Sequence, residues 1–457
     1  MSMIHLQGGS VVTMDPATAD LARGDVLIED DKIVAVGADL ASGESAEVID
    51  ASDMIVMPGL INGHIHTWQT GLRGIGGNWT GTNYFRAIHA GLAMFFRPED
   101  IYIANLVGAL NQIDCGVTTL VDWHHNNPTP DHSDAAIDGL EEAGIRALFL
   151  HGCAKPDAKP GQKHHSEIPM SRSEVTRLRK GRLASDDGLL SMGLAVLGPQ
   201  MSVNDVVLED FRLAREFDLI ASLHHSGAEM VGPQGYEYAA RDGLISNKIN
   251  VVHGNALTDA DFRLLVDNGA TFVVTAEVEM QMAYGDPLTG KLRANGLPVA
   301  IGSDVECVYA PDMFAVMRTT LQLERHEHSM RQYAQTGEKP HPIPVTTAEA
   351  LGWATMDNAK MAHLDHAIGS LTPGKQADIT LLRKSDLNLV GVADATNAIV
   401  QNANPGNVDT VLIAGKVMKR NGQIKFDGVD AKVATLVESS ARILADFKAK
   451  AETAEYL

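Results

Sequence analysis

Short apolar runs alternate with amphipathic stretches through the middle of the chain, and this alternation predicts parallel βα units. Eight runs have the length and composition of strands, which is the number that closes a (β/α)8 barrel. The predicted strands cover residues 59–66, 117–123, 146–152, 191–198, 219–225, 250–254, 271–276 and 298–304. Predicted helices cover residues 98–114, 131–143, 203–217, 258–268, 310–335 and 346–360. The predicted fold class is therefore α/β, with a (β/α)8 TIM barrel over residues 57–366.

The two ends of the chain instead carry short strands separated by turns. Strands are predicted at 4–6, 10–14, 25–28, 32–36 and 47–50, and segments 369–382 and 408–417 have the same texture. We predict one small β-sandwich, structural in role, built from residues 1–56 and 367–425. Residues 431–452 form an amphipathic run rich in Ala, Leu and Lys. A C-terminal helix within 426–457 is expected to pack on the barrel or on a second subunit, and a homo-oligomer, a dimer or larger, is predicted.

Composition narrows the classes of partner. The 457 residues include 37 Lys and Arg against 58 Asp and Glu, a formal charge of -21, which disfavours nucleic acid and anionic membranes. No run approaches the ~18 to 20 apolar residues of a membrane span, and the first residues lack the regions of a signal peptide. Three separated cysteines offer no disulfide framework. A cytoplasmic protein with a small-molecule substrate is expected.

The first predicted barrel strand ends in two histidines, His64 and His66. Side chains at i and i+2 of a strand project from the same face, about 7 Å apart along the backbone. Neutral imidazole is the commonest protein ligand for a divalent transition metal. The pair is therefore predicted to supply half of a metal shell.

Further polar residues recur at later strand ends, where barrels of this type carry their chemistry. A single strand-end histidine is usually structural, but a series across successive strands indicates a metal-dependent active site. The series comprises Asp122, His124, His125, His151, Gln200, His224, His225, His253, Glu277, Glu279 and Asp304.

Four segments, MPGLINGHIH, SLHHSG, NVVHGN and AIGSDVE, together resemble the amidohydrolase superfamily, and the resemblance spans essentially the whole chain. The layout is similar to that of cytosine deaminases, methylthioadenosine/S-adenosylhomocysteine deaminases and triazine hydrolases, which use one catalytic metal. The resemblance implies that His64, His66, a fifth-strand histidine and Asp304 are ligands, with His253 beside the metal-bound water. The fourth predicted strand has no lysine to bridge two metals. One divalent ion is expected, Zn²⁺ first, with Fe²⁺, Co²⁺ or Mn²⁺ as alternatives.

The fifth-strand ligand has two candidates, His224 and His225, which are adjacent and must face opposite sides of a strand. Strand register favours His224. His225 is then expected on the outer side or next to the substrate.

The expected chemistry follows from such a site. A bound metal lowers the pKa of water from ~15.7 toward ~7 and so generates a hydroxide for attack on the substrate. Asp304 is predicted to be both ligand and proton carrier, and His253 to stabilise the oxyanion or move a proton.

One departure from the deaminases affects the choice of substrate. In those branches a glutamate three residues after the fifth-strand ligand protonates a ring nitrogen, whereas this chain has Gly227 there and Glu229 two residues later. Residues 121–136 and 277–282 also resemble, more loosely, molinate and phenylurea hydrolases. We therefore predict hydrolysis of an amide, urea or carbamate C–N bond. Deamination of a purine-like, pterin or triazine ring is the alternative, and a catalytically silent binding protein is a third hypothesis.

Several residues near these motifs are predicted to contact substrate. The loop 67–79 follows the first ligands and is expected to cover the pocket. Met280, Met282 and Tyr284 are candidates for an apolar wall. The predicted substrate-binding residues are Trp68, Gln69, His125, Gln200, His225 and Glu279.

Overall fold

The computed structural model describes residues 2–43, 45–227, 229–450 and 455. A central sheet of eight strands, paired in chain order, forms the barrel, and its helices lie between successive strands. A parallel bridge between Ile65 of the first strand and Asp304, three residues past the last strand, closes the barrel. The predicted TIM barrel is therefore confirmed.

The barrel strands observed are β6 (Leu60–Ile65), β7 (Val117–His124), β8 (Arg146–Gly152), β9 (Leu190–Ala195), β10 (Ala221–His225), β11 (Ile249–His253), β12 (Thr271–Val274) and β13 (Ala300–Ile301). The eighth strand is much shorter than the predicted 298–304. The chain leaves regular strand geometry after Ile301. Gly302 packs against the backbone of His64, where a Cβ atom would not fit, and Asp304 has a left-handed conformation with φ of 61°.

A second sheet of nine strands combines both ends of the chain. Its strands are β1 (Met3–Val11), β2 (Leu21–Glu29), β3 (Lys32–Gly37), β4 (Glu47–Asp50), β5 (Met54–Pro58), β14 (Ile379–Arg383), β15 (Val408–Ile413), β16 (Lys416–Arg420) and β17 (Gln423–Ile424). Strand β5 from the first half pairs antiparallel with β14 from the second. Leu6, Ile28, Ile379 and Leu412 share one apolar core separate from the barrel core. A domain built from both chain ends is thus confirmed.

Two details of this sheet correct the predictions. The predicted strand 4–6 and the first two residues of the predicted strand 10–14 belong to one strand, β1, whose register shifts between Leu6 and Val11; residues 12–14 lie beyond its end. Gly8, with φ of 78°, interrupts the alternation there, which made one strand look like two. Strand β5 was not predicted and runs across the expected boundary at residue 56, because its fully apolar sequence continues without a break into the first barrel strand.

The α-helices are α1 (Gly81–Tyr84), α2 (Pro98–Asp114), α3 (Pro130–Ala143), α4 (Arg172–Arg179), α5 (Gly198–Met201), α6 (Asn204–Glu216), α7 (Gly235–Arg241), α8 (Asp259–Asp267), α9 (Ala276–Gln281), α10 (Thr289–Ala294), α11 (Met313–Thr336), α12 (Thr347–Gly352), α13 (Asn358–Met361), α14 (Ala395–Gln401) and α15 (Val429–Lys450). Single turns of 3-10 helix cover Thr67–Leu72, Leu92–Phe95, His165–Glu167 and Pro405–Asn407, and π-helical turns cover Phe85–His89 and Trp353–Asp357. No helix in the described part of the chain is long and apolar enough to cross a membrane.

The C-terminal helix α15 packs on the barrel through Ile443 and Phe447, which are buried. Ser439 Oγ donates to Asp100 Oδ1 of α2 at 2.6 Å, and Arg442 forms an ion pair with the same carboxylate. Residues 451 and 452, the end of the predicted helix, lie outside the described residues. The expected contact with a second subunit stays a prediction.

Candidate active site

Four side chains converge at the C-terminal end of the barrel: His64, His66, His224 and Asp304. Nε2 of His64 lies 3.2 Å from Asp304 Oδ1 and 3.2 Å from His224 Nε2. Nε2 of His66 also lies 3.2 Å from Asp304 Oδ1. The ligand atoms of all four residues lie within 4.8 Å of one another, so the group could hold one metal ion.

Backbone pairing at the barrel seam sets this arrangement. Asp304 N–H donates to His64 O at 2.9 Å, and His66 N–H donates to Asp304 O at 3.0 Å. Asp304 is thereby held between the two histidines of the first strand. Its left-handed φ, like the φ of 69° at His253, is a conformation that non-glycine residues adopt rarely and that clusters at functional sites.

The protonation states suit a metal. Burial lowers the pKa of His64 to about 4, so its ring is neutral at pH 7. His66 Nδ1 lies 2.7 Å from the carbonyl oxygen of Trp123 and must donate to it, which leaves the Nε2 lone pair free for a ligand bond. Burial would raise the pKa of Asp304, but contact with His64 and His66 holds it well below the usual range.

The spacing of the donors also fits a metal. Ligands bound about 2.0–2.1 Å from a tetrahedral ion lie roughly 3.3–3.4 Å apart. The separations of 3.2 Å from His64 Nε2 to Asp304 Oδ1 and to His224 Nε2 agree with this value. Three neutral imidazoles and one carboxylate are a donor set typical of Zn²⁺ and related divalent ions.

His253 stands beside the four ligands, at the end of β11. Its Nε2 lies 3.8 Å from Asp304 Oδ2, while its Nδ1 lies 3.2 Å from Glu279 Oε1 and 3.0 Å from Thr275 Oγ1. Since a buried carboxylate accepts hydrogen bonds, Nδ1 carries the proton and Nε2 faces the cluster. The ring is thus oriented to act on a substrate rather than to fill the ligand set.

A cavity of about 810 Å³ lies over the cluster and is lined by His66, His224, His253 and Asp304 among others. Gln200 is the predicted substrate-binding residue that lines it. Met282 and Tyr284 also line it, as the predicted apolar wall requires, whereas Met280 does not and is exposed.

The other predicted substrate contacts are corrected by the structure. Trp68 is fully buried and packs edge-on against Phe96, and its Nε1 lies 3.4 Å from His125 Nε2. His125 is buried in the same layer, where it meets the outer edge of His66. These side chains support the ligands from behind, because the chain after β6 turns into the buried Thr67–Leu72 helix instead of an open loop.

Gln69, His225 and Glu279 likewise lie outside the cavity lining. Gln69 Nε2 donates to the hydroxyl of Tyr84 at 2.8 Å, and Tyr84 lines the cavity. His225 faces away from the barrel axis, with Nδ1 3.0 Å from the Tyr236 hydroxyl, as strand alternation requires when His224 faces inward. Glu279 lies behind His253. No residue of the predicted cover 67–79 lines the cavity, and the residues that do so are Thr80, Gly81, Thr82, Tyr84, Phe85 and Arg86.

The remaining strand-end residues point out of the barrel. Asp122 accepts from Thr67 N–H and Asn105 Nδ2, both at 3.1 Å, and burial raises its pKa to about 7. His151 faces Ser133 of α3. Glu277 accepts from Thr319 Oγ1 at 3.0 Å. Each serves packing between the barrel wall and its helices.

Some cavity residues were not predicted. Lys155 follows β8 and is buried, and Tyr84 and His89 belong to the segment between β6 and α2. The position of Lys155 just after a predicted strand end was the available signal. No motif marks Tyr84 or His89, because their role depends on how a long connection folds back over the barrel.

Gly227 leaves space that Gln200 fills. A Cβ atom at residue 227 would lie 2.5 Å from Gln200 Nε2. Gln200 Oε1 accepts from Ser226 N–H at 2.8 Å, which fixes the amide in that place. The position of the expected deaminase glutamate is therefore occupied by a neutral amide with its NH2 group beside the cavity.

Comparisons with known proteins agree with this architecture. The model of the Amidohydrolase family matches residues 55–418. The chain is 26% identical over 427 residues to a 5'-deoxyadenosine deaminase of Methanobrevibacter smithii, covering 90% of this chain and 92% of the relative. It is 27% identical over 421 residues to a 5-methylthioadenosine/S-adenosylhomocysteine deaminase of Moorella thermoacetica, covering 89% and 92%.

Solved structures share the fold at lower identity. An adenosine deaminase from Xanthomonas campestris with bound zinc superposes with a TM-score of 0.81 at 21% identity, over 97% of this chain and 98% of the other. Atrazine chlorohydrolase from Arthrobacter aurescens TC1, complexed with zinc, gives 0.84 at 20% identity, over 96% and 100%. Because the family match spans most of the chain, this protein belongs to the amidohydrolase family and is a hydrolase that acts on carbon–nitrogen bonds other than peptide bonds.

Proposed function

We propose that this protein hydrolyses an amide, urea or carbamate C–N bond of a small molecule, using one divalent metal ion held by His64, His66, His224 and Asp304. The observation that carries the choice of bond is the neutral amide of Gln200 in the space next to Gly227. A ring deaminase needs an acid there to protonate the heterocycle as its aromaticity is lost. A planar amide or urea has no aromaticity to lose, so an amide donor that orients it suffices.

Zn²⁺ is the proposed ion, supported by the three imidazoles and one carboxylate and by the zinc in the related structures. Fe²⁺, Co²⁺ and Mn²⁺ are the alternatives. Once bound, such an ion provides a hydroxide-like nucleophile at neutral pH and polarises the scissile carbonyl.

The protein's own groups would move the proton. Asp304 Oδ1 faces His64 and His66, whereas Oδ2 faces His253 and the cavity side of the cluster. Oδ2 is therefore the atom proposed to take the proton of the attacking water and deliver it to the leaving nitrogen. His253 Nε2, whose lone pair faces the cluster while Glu279 holds the Nδ1 proton, is proposed to accept a proton during the reaction and pass it on.

Ring deamination is the second candidate, and two observations favour it. The curated relatives named above deaminate adenosine-like compounds. Glu229 also lines the cavity, two residues beyond Gly227, so a carboxylate is within the same pocket although it is exposed at the rim.

The test is a screen of zinc-loaded protein against both bond classes. Ammonia release would be measured from adenosine, 5'-deoxyadenosine and melamine, and amine release from phenylureas, anilides and aryl carbamates. Metal-stripped protein is the control. Turnover of the second set supports the proposal. Turnover confined to the aminated rings would replace it with the deaminase.

A further inference from the structure

Lys155 is a buried cation in the cavity that the proposed mechanism does not use. The residue lies just after β8, is 4% exposed and lines the same cavity as the metal cluster. Its Nζ sits 5.0 Å from the centre of the Trp123 ring. Within the described part of the chain it forms no salt bridge and no hydrogen bond.

A buried lysine without a partner is unusual, because removing an ammonium from water costs free energy that a counter-charge normally offsets. Lys419, which is 3% exposed, is a second buried lysine with which Lys155 can be compared. Lys419 Nζ pairs with Asp114 Oδ1 at 2.8 Å and donates to the Asp114 carbonyl at 2.7 Å. Lys419 is paired within the protein, whereas Lys155 faces the cavity that lies over the four clustered residues.

Lys155 is available to an anion, whereas Arg86 in the same cavity is already paired with Asp157. Burial and the nearby Lys155 charge hold the pKa of His89 well below its ordinary 6.5, and burial lowers the pKa of His165 to about 4, so neither ring is charged at pH 7. Burial lowers the pKa of Lys155 to about 8, so the lysine is still protonated in most molecules at pH 7.

Lys155 lies close enough to the proposed metal ligands for one small substrate to contact both. The Trp123 ring that lies under Lys155 also packs edge-on against His224, with ring centres 4.3 Å apart. One indole therefore separates the ammonium from a proposed metal ligand. A substrate could place a charged group at Lys155 while its scissile bond lies over the cluster.

We propose that Lys155 binds a carboxylate of the substrate, so that the substrate is an anionic small molecule. A carboxylate is preferred to a phosphate because a single ammonium is a point charge without the additional donors that a phosphate group usually gathers. The identity of the scissile bond rests on the proposed function, but the carboxylate site does not.

The experiment measures binding of benzoate and of its neutral isostere benzamide to zinc-loaded protein by calorimetry. Loss of one charge-assisted hydrogen bond predicts that Lys155→Met weakens benzoate about 10- to 100-fold. Benzamide binding should not change. Lys155→Arg should keep the preference for benzoate. Lys159→Met, an exposed lysine of the same connection, is the matched control and should change neither Kd.

The outcomes separate the alternatives. Equal benzoate binding by wild type and Lys155→Met would mean that the metal alone holds the carboxylate, and the proposal would be wrong. Equal weakening of both ligands would assign Lys155 a packing role and also overturn it. Zinc content and melting temperature verify that each variant is folded.

A second measurement tests the carboxylate site separately from the proposed type of scissile bond. Hydrolysis of 4-ureidobenzoate would be compared with that of 4-ureidobenzamide in both proteins. If neither urea is turned over while benzoate binding still depends on Lys155, the proposed function fails and the carboxylate site stands. If both ureas react equally in wild type and benzoate binding is independent of Lys155, the carboxylate site is wrong and the proposed function stands.

Discussion

Glu279 Oε1 lies 3.2 Å from His253 Nδ1, and both side chains are buried. The same oxygen accepts from Thr275 N–H at 2.8 Å, so the carboxylate is fixed before any substrate arrives. The histidine therefore has one orientation in which Nε2 can reach the cavity. We therefore expect Glu279 to position His253, although its place in the sequence indicated substrate contact.

Glu279→Gln removes the charge behind His253 while keeping the shape of the side chain. We expect kcat to fall about tenfold or more, with KM and zinc content unchanged, because only transition-state stabilisation is lost. Steady-state kinetics measure the split. Glu277→Gln, two residues earlier, where the side chain accepts a hydrogen bond from Thr319 instead, should leave kcat unchanged. A rise in KM alone would contradict the positioning role.

Metal retention should depend on the four clustered residues. His66→Ala and His224→Ala each remove one donor and are expected to lose both zinc and turnover, as elemental analysis and an activity assay would show. His225→Ala is the matched control, because its ring bonds Tyr236 outside the barrel and should leave zinc content unchanged. Two metal ions per chain would contradict the single-ion site.

The roles of Asp304 and His253 can be separated by comparing metal content with rate. His253→Ala should keep zinc and lose about 10² to 10⁴-fold in kcat, the usual contribution of one positioned acid–base or oxyanion group. Asp304→Asn should lower kcat strongly even in the fraction that still binds zinc, since an amide cannot carry the proton. A His253→Ala enzyme with normal kcat would remove that residue from the mechanism.

Glu229→Gln discriminates between the two bond classes. Amide or urea cleavage can protonate its leaving nitrogen through Asp304, so near wild-type turnover at saturating substrate is expected. A loss as large as that of Asp304→Asn would show that a carboxylic acid at the cavity rim is required, and it would favour the ring deaminase. If the enzyme cleaves amides or ureas, Gln200→Ala should raise KM, because it removes the amide that orients the substrate.

Acid sensitivity should arise partly from His151. Burial lowers its pKa to about 4 from an ordinary 6.5, so the unfolded chain binds this proton more readily than the folded one. Stability contributed by the neutral ring is present above pH 6.5 and is lost as pH falls toward 4, by on the order of 2 to 3 kcal/mol. Comparing urea midpoints at pH 7.5 and 5.0, His151→Gln should show a smaller drop than wild type. His366→Gln, on an exposed residue, should show the wild-type drop.

The sequence was most informative where side-chain direction follows from strand alternation. The shared face of His64 and His66 follows from a period of two, and the choice of His224 over His225 follows from that period together with the strand register; the structure has all three facing inward. The (β/α)8 barrel was predictable from a different local signal, because its strands are short apolar runs that alternate with amphipathic stretches.

Residues whose roles depend on connections could not be placed in this way. Trp68 and Gln69 were expected over the cavity but lie beneath it, because Thr67–Leu72 coils into the core. Lys155 and Tyr84 reach the cavity from long connections that carry no periodic signal. The short eighth strand was also hidden, since the left-handed turn at Asp304 depends on backbone pairing with His64 across the seam.

The pairing of β5 with β14 has a consequence for synthesis of the protein. Strand β5, which leads into the barrel, cannot pair with β14 until the ribosome has synthesised all the barrel strands that lie between them in the sequence. Until then β5 exposes an apolar edge, the kind of edge that invites aggregation. The barrel can begin to assemble during translation, but the terminal sheet cannot be completed before β14 has been made, and a truncation before residue 379 would leave that edge of β5 unpaired.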